Sequence, residues 1–325
     1  MATLTYVGSH GFNLTFPTDI NAVPENEATS ASDNQFRPYP IYPGPIGASG
    51  NSSAPVHNGI SNYNSLQASI TKRFTHGLSM NFNYVWSHFL DDQDSSGWGS
   101  HAGPILWQHA SSLTLNQSSL NYGPSNFDVR NAFKGYLVYQ LPFGMGKQFL
   151  NHSQLLDEAI GGWQLSGTIV ESTGNPFTIT GPGPLYTSAN AFQYPSRISG
   201  VSTDSPGGKN WQHWYNPAAF AYPGAGVFGN VQRNTLVGPG LNVVDLSAGK
   251  TFSITEGIKF GIRCDASNAF NHPSFGPPTG NQTNLTGATG AGSAFTGPAG
   301  GVGSSQITTL TVDGRSLQLS ARITF

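Results

Sequence analysis

Three observations on the sequence predict an all-β fold, an antiparallel transmembrane β-barrel with long extracellular loops. Apolar and polar residues alternate with period two in eight segments. Gly (41) and Pro (22) interrupt the 325 residues too often for long helices. The connections between segments sort into alternating long and short sets. With 37% apolar and 9% charged residues the composition fits an ordinary cytosolic domain poorly. No stretch approaches the run of about 20 apolar residues that a membrane helix needs. A barrel strand needs only about 10, apolar on one face.

Taken in order, a short run from Thr3 to Val7 opens the chain, and the strongest signal follows from Leu66 to Leu90. Two alternating arms meet there at Thr75-His76-Gly77 and predict a β-hairpin. The first arm sets Leu66, Ala68, Ile70 and Phe74 against Gln67, Ser69, Thr71 and Arg73. Lys72 breaks the apolar face close to the turn, where its stem can run along lipid and its ammonium reach the interface. The second arm sets Leu78, Met80, Phe82, Tyr84 and Trp86 against Ser79, Asn81, Asn83 and Ser87. Next, Phe133, Leu137, Tyr139 and Leu141 oppose Lys134, Tyr136 and Gln140, and Trp163, Leu165 and Ile169 oppose Gln164, Ser166 and Thr168. Val244, Leu246, Ala248 and Phe252 oppose Asp245, Ser247 and Thr251. Ile258, Phe260, Ile262, Cys264 and Ala266 oppose Lys259, Arg263 and Asp265. The last strand alternates most cleanly, with Leu317, Leu319, Ala321, Ile323 and Phe325 against Ser316, Gln318, Ser320, Arg322 and Thr324.

If the chain ends in the periplasm, the outward connections are Gly8–Asn62, Asp91–Arg130, Gly174–Asn242 and Asn271–Gly314. The inward ones, Thr75–Gly77, Pro142–Gly162 and Ser253–Gly257, are all shorter. A soluble sandwich has no reason to sort its connections so. The outward loops are rich in Gly, Pro, Ser and Asn, a composition that favours irregular or mobile backbone. Aromatic residues gather at strand ends as girdles, with Phe74, Phe143, Trp163, Phe252 and Phe325 on the periplasmic rim and Trp86 and Phe270 on the outer one.

Strand charges orient the wall. Lys134, Asp245, Lys259, Arg263, Asp265 and Arg322 all fall on the polar face, and Arg or Lys on the lipid side near mid-membrane costs about 2–4 kcal/mol, so this face points inward. Asp245 and Arg263, diagonal across the Ser253–Gly257 turn, are expected to pair in the lumen, either to stiffen the wall or to bind substrate.

Other chemistry is sparse. The formal charge of −2 with 14 scattered Lys and Arg residues offers no basic stripe, which argues against a nucleic-acid partner. Cys264 is the single cysteine and permits no internal disulfide. Asp92-x-Asp94-x-Ser96-Gly97 opens like a calcium loop, but Gly103 stands where a bidentate Glu should close it, and a solvated acidic turn is the plainer alternative. Gly224-x-Gly226-x-x-Gly229 has dinucleotide spacing without a βαβ unit around it and is read as loop. The nine His residues are scattered, with no pair spaced for a metal on a helix. No local nucleophile, base and orienting acid stand together, so neither an enzyme nor a cofactor is expected. Ala-Thr-Leu-Thr-Tyr-Val after Met1 lacks a basic n-region and a cleavage site, so export is expected to start from a longer precursor.

Several phrases resemble the barrel region of TonB-dependent outer-membrane receptors, the Oar-like group in particular. They are Tyr6-Val7-Gly8-Ser9, Asn64-Ser65-Leu66-Gln67, Phe127-Asp128-Val129-Arg130-Asn131, Leu141-Pro142-Phe143-Gly144, Gly161-Gly162-Trp163-Gln164, Asn216-Pro217-Ala218-Ala219-Phe220 and Asn268-Ala269-Phe270-Asn271-His272-Pro273. The resemblance implies that residues 1–325 are a single partial β-barrel domain, the C-terminal strands of a barrel of about 22 strands in the cell outer membrane. It further implies uptake across that membrane, with an N-terminal plug and a TonB-contacting segment through which alone the TonB system would be engaged. The expected partners are outer-membrane lipid and the barrel-assembly machinery, for which Leu317, Leu319, Ile323 and Phe325 would form the assembly signal. Two alternatives stay open. One is a self-contained eight-stranded anchor or adhesin barrel with a lumen filled by side chains. The other is a secreted soluble β-sandwich that binds carbohydrate or cell surfaces.

Overall fold

A strand forms where one face meets an apolar medium and the other meets water, and each alternating segment becomes one. The computed structural model describes residues 1–18, 33–36, 38–42, 54–92, 121–144, 146–149, 160–179, 181–182, 192–223, 229–255, 257–278, 285–286, 297–298 and 305–325. Its long strands are β1 (Ala2–Thr18), β2 (Ala54–Thr75), β3 (Leu78–Asp91) and β4 (Asn131–Gln140). They continue with β5 (Trp163–Ser172), β6 (Leu241–Ser253), β7 (Lys259–Ser267) and β8 (Ser316–Thr324). The eight lie side by side in chain order, every neighbouring pair antiparallel.

Register joins the apolar faces into one surface. One row runs Ala2, Ile70, Phe82, Gly135, Ile169, Val244. Another runs Leu78, Tyr139, Leu165, Ala248, Cys264, Leu319. The opposite face carries rows such as Thr71, Asn81, Tyr136, Thr168, Asp245. A slip of one residue at any strand would send a polar set into the apolar surface, which is what holds the register.

Local chemistry fixes the joints. β2 turns into β3 through His76 (φ 51°) and Gly77 (φ 78°), the two positive-φ positions that a two-residue hairpin requires. Gly135 leaves room for the Phe82 ring, which a Cβ there would strike and which stacks on Phe133 with centroids 5.7 Å apart. β1 and β2 extend well beyond the Thr3–Val7 and Leu66–Phe74 runs, pairing out to Thr18 and Ala54. Above the membrane both faces meet water, so period two is no longer demanded there, and the ladder tolerates a register shift between Gly11 and Leu14.

The buried apolar core lies outside the long strands. Phe177, Ile179, Tyr194, Tyr215, Ala219, Phe220, Ala221, Val231 and Ile307 are the buried hydrophobic residues among those described, and none belongs to β1–β8. A sandwich would bury the inner faces of its strands instead. Here Ile70, Trp86 and Leu246 remain 52%, 52% and 45% exposed. Among the described residues β1 pairs only with β2 and β8 only with β7, so the sheet is an open arc.

Candidate functional site

Two regions carry polar chemistry on this scaffold: the inward wall and a cap at its outer end. The wall is built by alternation alone. Lys134, Asp245, Lys259, Arg263, Asp265 and Arg322 all occupy the polar face in register. Toward the inner end of β5–β8, Gln164, Ser166, Ser247, Thr251, Arg263 and Arg322 line a groove of about 600 Å³. Hydroxyls, amides and guanidiniums share its lining with Leu141, Trp163 and Ile262.

The expected Asp245–Arg263 pair is not formed. Pairing of Leu246 with Ala266 and of Gly249 with Arg263 places the two side chains about four residues apart along the strands, roughly 13 Å. Arg263 instead donates from Nε to both carboxylate oxygens of Asp265 on its own strand, at 2.8 and 3.0 Å. Asp245 accepts from Thr168 Oγ1 at 3.3 Å and from the Asn268 backbone N–H at 2.9 Å. The diagonal estimate failed because the turn after Ser253 fixes a register that alternation does not reveal.

Asp245 therefore anchors a turn. Asn268 (φ 47°) is buried, donates from Nδ2 to the carbonyls of His272 and Asp313, and accepts from the His272 N–H. Asn271 (φ 53°) accepts from the Arg315 N–H and so ties the start of β8 to the end of β7. The Asn268–Pro273 phrase is a structural joint. Tyr6-Val7-Gly8 and Asn64-Ser65-Leu66 are another: they pair directly, and Tyr6 Oη donates to Asn64 Oδ1 at 2.5 Å.

The described parts of the outer loops are irregular in backbone, as expected, yet they pack into a cap. Asn216 caps the 3-10 helix Pro217–Ala219 by accepting from the Ala218 N–H, which delivers Ala219 and Phe220 into a core with Phe177, Ile179, Tyr215 and Val231. Arg233 is buried against Asp91 at the end of β3, donating to its carboxylate, to its backbone carbonyl at 2.6 Å, and to the Asn121 carbonyl at 2.8 Å. Asn234 bridges Thr178, the Pro124 carbonyl and Asn126. Ser305 Oγ donates to the Tyr215 carbonyl, and the Ile307 N–H to that of Trp211. Three outer connections are thus knitted into one packed unit. Burial holds the Tyr215 phenol well above its ordinary pKa, so it stays neutral. Alternation signals could not reveal this unit, because its core is assembled from turns far apart in sequence.

Asp128 adds a polar knot at the outer end of β3. Its buried carboxylate accepts from the Phe89 N–H at 2.8 Å and lies 3.4 Å from both Arg130 and His88. Asp92 accepts from the Ile60 N–H at 3.1 Å, while Asp94, Ser96, Gly97 and Gly103 lie outside the described residues. Gly224 and Gly226 also lie outside them. Gly229 sits buried against the Tyr194 and Pro195 carbonyls.

Leu317, Leu319 and Ile323 stand on the apolar face opposite Ala266, Cys264 and Phe260, and Phe325 follows the end of β8 at 92% exposure. Two charges on the apolar face escaped the sequence pattern. Lys250 faces Trp163 and Ile262 and is buried with Nζ 4.8 Å from the Phe252 ring centroid. Glu171 faces Phe133 and Asn242.

Comparison with known proteins agrees with this geometry. Residues 1–318 match the family described as outer membrane beta barrel domain. No curated protein matches the chain. An antiparallel meander with one continuous apolar face, a charged opposite face and long connections at one end is what such a domain requires, and the chain belongs to the outer membrane beta barrel domain family, with its place in the outer membrane.

Proposed function

We propose that this chain forms part of the wall of a TonB-dependent, Oar-like receptor barrel and takes part in uptake across the outer membrane. The observation that carries the reading is the open arc. β1 and β8 each keep one edge without a strand partner among the described residues. A lipid-embedded edge must be closed, since hydrocarbon offers its N–H and C=O groups no partners. If these eight strands closed on themselves, inward side chains would fill the narrow lumen and bury one another. Instead Lys134, Gln164, Thr168 and Arg263 stay exposed on the polar face. Further strands between β8 and β1 would complete a wider barrel with room for a plug and a solute. In this reading the chain performs no catalysis and meets TonB only through an N-terminal portion of the receptor.

The test uses cysteines along β1 (Thr3, Thr5, Val7) and β8 (Ser316, Gln318, Ser320) in a Cys264→Ala background, in cells. No β1–β8 disulfide should form, and the protein as the cell makes it should be retained by immobilised TonB. A β1–β8 cross-link together with no TonB retention would overturn the reading in favour of an eight-stranded anchor or adhesin.

A further inference from the structure

On the lipid-facing surface, one row of the sheet departs from the apolar pattern. Tyr84, Phe133, Glu171 and Asn242 are successive cross-strand partners on β3, β4, β5 and β6. With Asn131 and His272 they line an open groove of about 470 Å³. The row lies at the outer margin of the wall: Phe133 is near the start of β4, Glu171 near the end of β5 and Asn242 near the start of β6. Tyr84 is fixed by its hydroxyl, which donates to Asn131 Oδ1 at 2.7 Å. Phe133 is steadied by stacking on Phe82. Glu171 has no hydrogen bond or ion pair among the described residues.

At this margin a carboxylate costs little, so Glu171, with no protein partner among the described residues, keeps its charge and can take a cation from the headgroup layer. Phe133 beside it and Tyr84 one strand further narrow the chemistry, because ring faces attract a positive charge and an ammonium can use a ring and the carboxylate at once. A headgroup phosphate would be repelled by Glu171, and a hydrated divalent ion would gain little from the rings.

We infer that this groove binds the amine-bearing headgroup of a membrane lipid, with Glu171 pairing the ammonium, Phe133 beside it, Tyr84 lining the groove one strand further, and Asn242 hydrogen-bonding the adjoining polar atoms. The inference depends only on which face meets lipid, so it stands or falls separately from the uptake reading.

Native mass spectrometry of the full-length protein, released from bilayers of equal phosphatidylethanolamine and phosphatidylglycerol, tests it. Wild type should retain phosphatidylethanolamine over phosphatidylglycerol at least threefold. Glu171→Gln should abolish that preference, and Phe133→Leu should weaken it. Only protein with the heat-modifiable gel shift of a folded barrel is scored, and if Glu171→Gln fails that check, loss of the preference in Phe133→Leu decides. An absent preference in wild type, a preference that survives these substitutions, or one removed by a metal chelator would overturn the inference. The last outcome would mean that a bridging cation, not an amine, sits on Glu171.

Discussion

At the scale of single residues, the buried Arg233–Asp91 pair controls more than its neighbours suggest. Removing one member leaves the other charged and unpaired in the cap, a loss of about 3–5 kcal/mol by precedent. Arg233→Ala is therefore expected to open the cap while β4–β7 persist. Hydrogen exchange should show protection lost at Phe177–Ile179 and retained in the sheet. Asp92 offers a pH test. Burial raises its pKa above the ordinary 3.8, ahead of the lowering effect of the Ile60 N–H and of Arg233. Between the unfolded and folded values the folded chain therefore holds more protons than the unfolded one, so stability falls as pH rises through that window and stays lower above it. Asp92→Asn does not titrate, so its stability relative to wild type should increase from pH 4 to pH 7. Chemical denaturation at the two pH values checks the sign.

Among elements, the strands were legible because lipid on one side and water on the other impose period two, and each of the eight alternating runs became a strand in the expected order. Their outer extensions were not, since water on both faces removes the constraint beyond Val7 and before Leu66. Nor was the partner of Arg263, because sequence spacing does not fix hairpin register. The cap was least visible: Tyr215 and Ser305 are hydrogen-bonded but separated in the chain by the long strands β6 and β7. The face assignment is itself testable. Leu246→Arg, on the lipid side, should cost about 2–4 kcal/mol, whereas Ser247→Arg, one residue on and facing inward, should cost far less. Refolding titrations into lipid vesicles would measure the difference. If β8 carries the assembly signal, deleting Phe325 should reduce insertion into the outer membrane, as read by the amount of protein in that fraction. Unchanged insertion would count against that role.

For the whole molecule, the division of labour is spatial. The membrane wall has no packed hydrophobic interior of its own among the described residues, and its apolar surface is matched to lipid. The cap is a water-type core held at the outer end by polar ties to β3 and to the segment before β4. This arrangement explains why mean hydropathy and helix-spanning criteria are uninformative here, while register and connection length speak clearly.

The cap also sets an order of events. Its ties join Asp91 to Arg233, Asn121 to Arg233 and Tyr215 to Ser305, contacts 142, 112 and 90 residues apart in the chain. Closing such long loops in a free chain is entropically unfavourable and slow. Hairpin formation shortens the effective distance, because each strand laid down brings the next outer connection beside the last. The cap can thus lock only after β3 through β7 have taken their places, so protease resistance in the cap reports that this part of the wall has assembled.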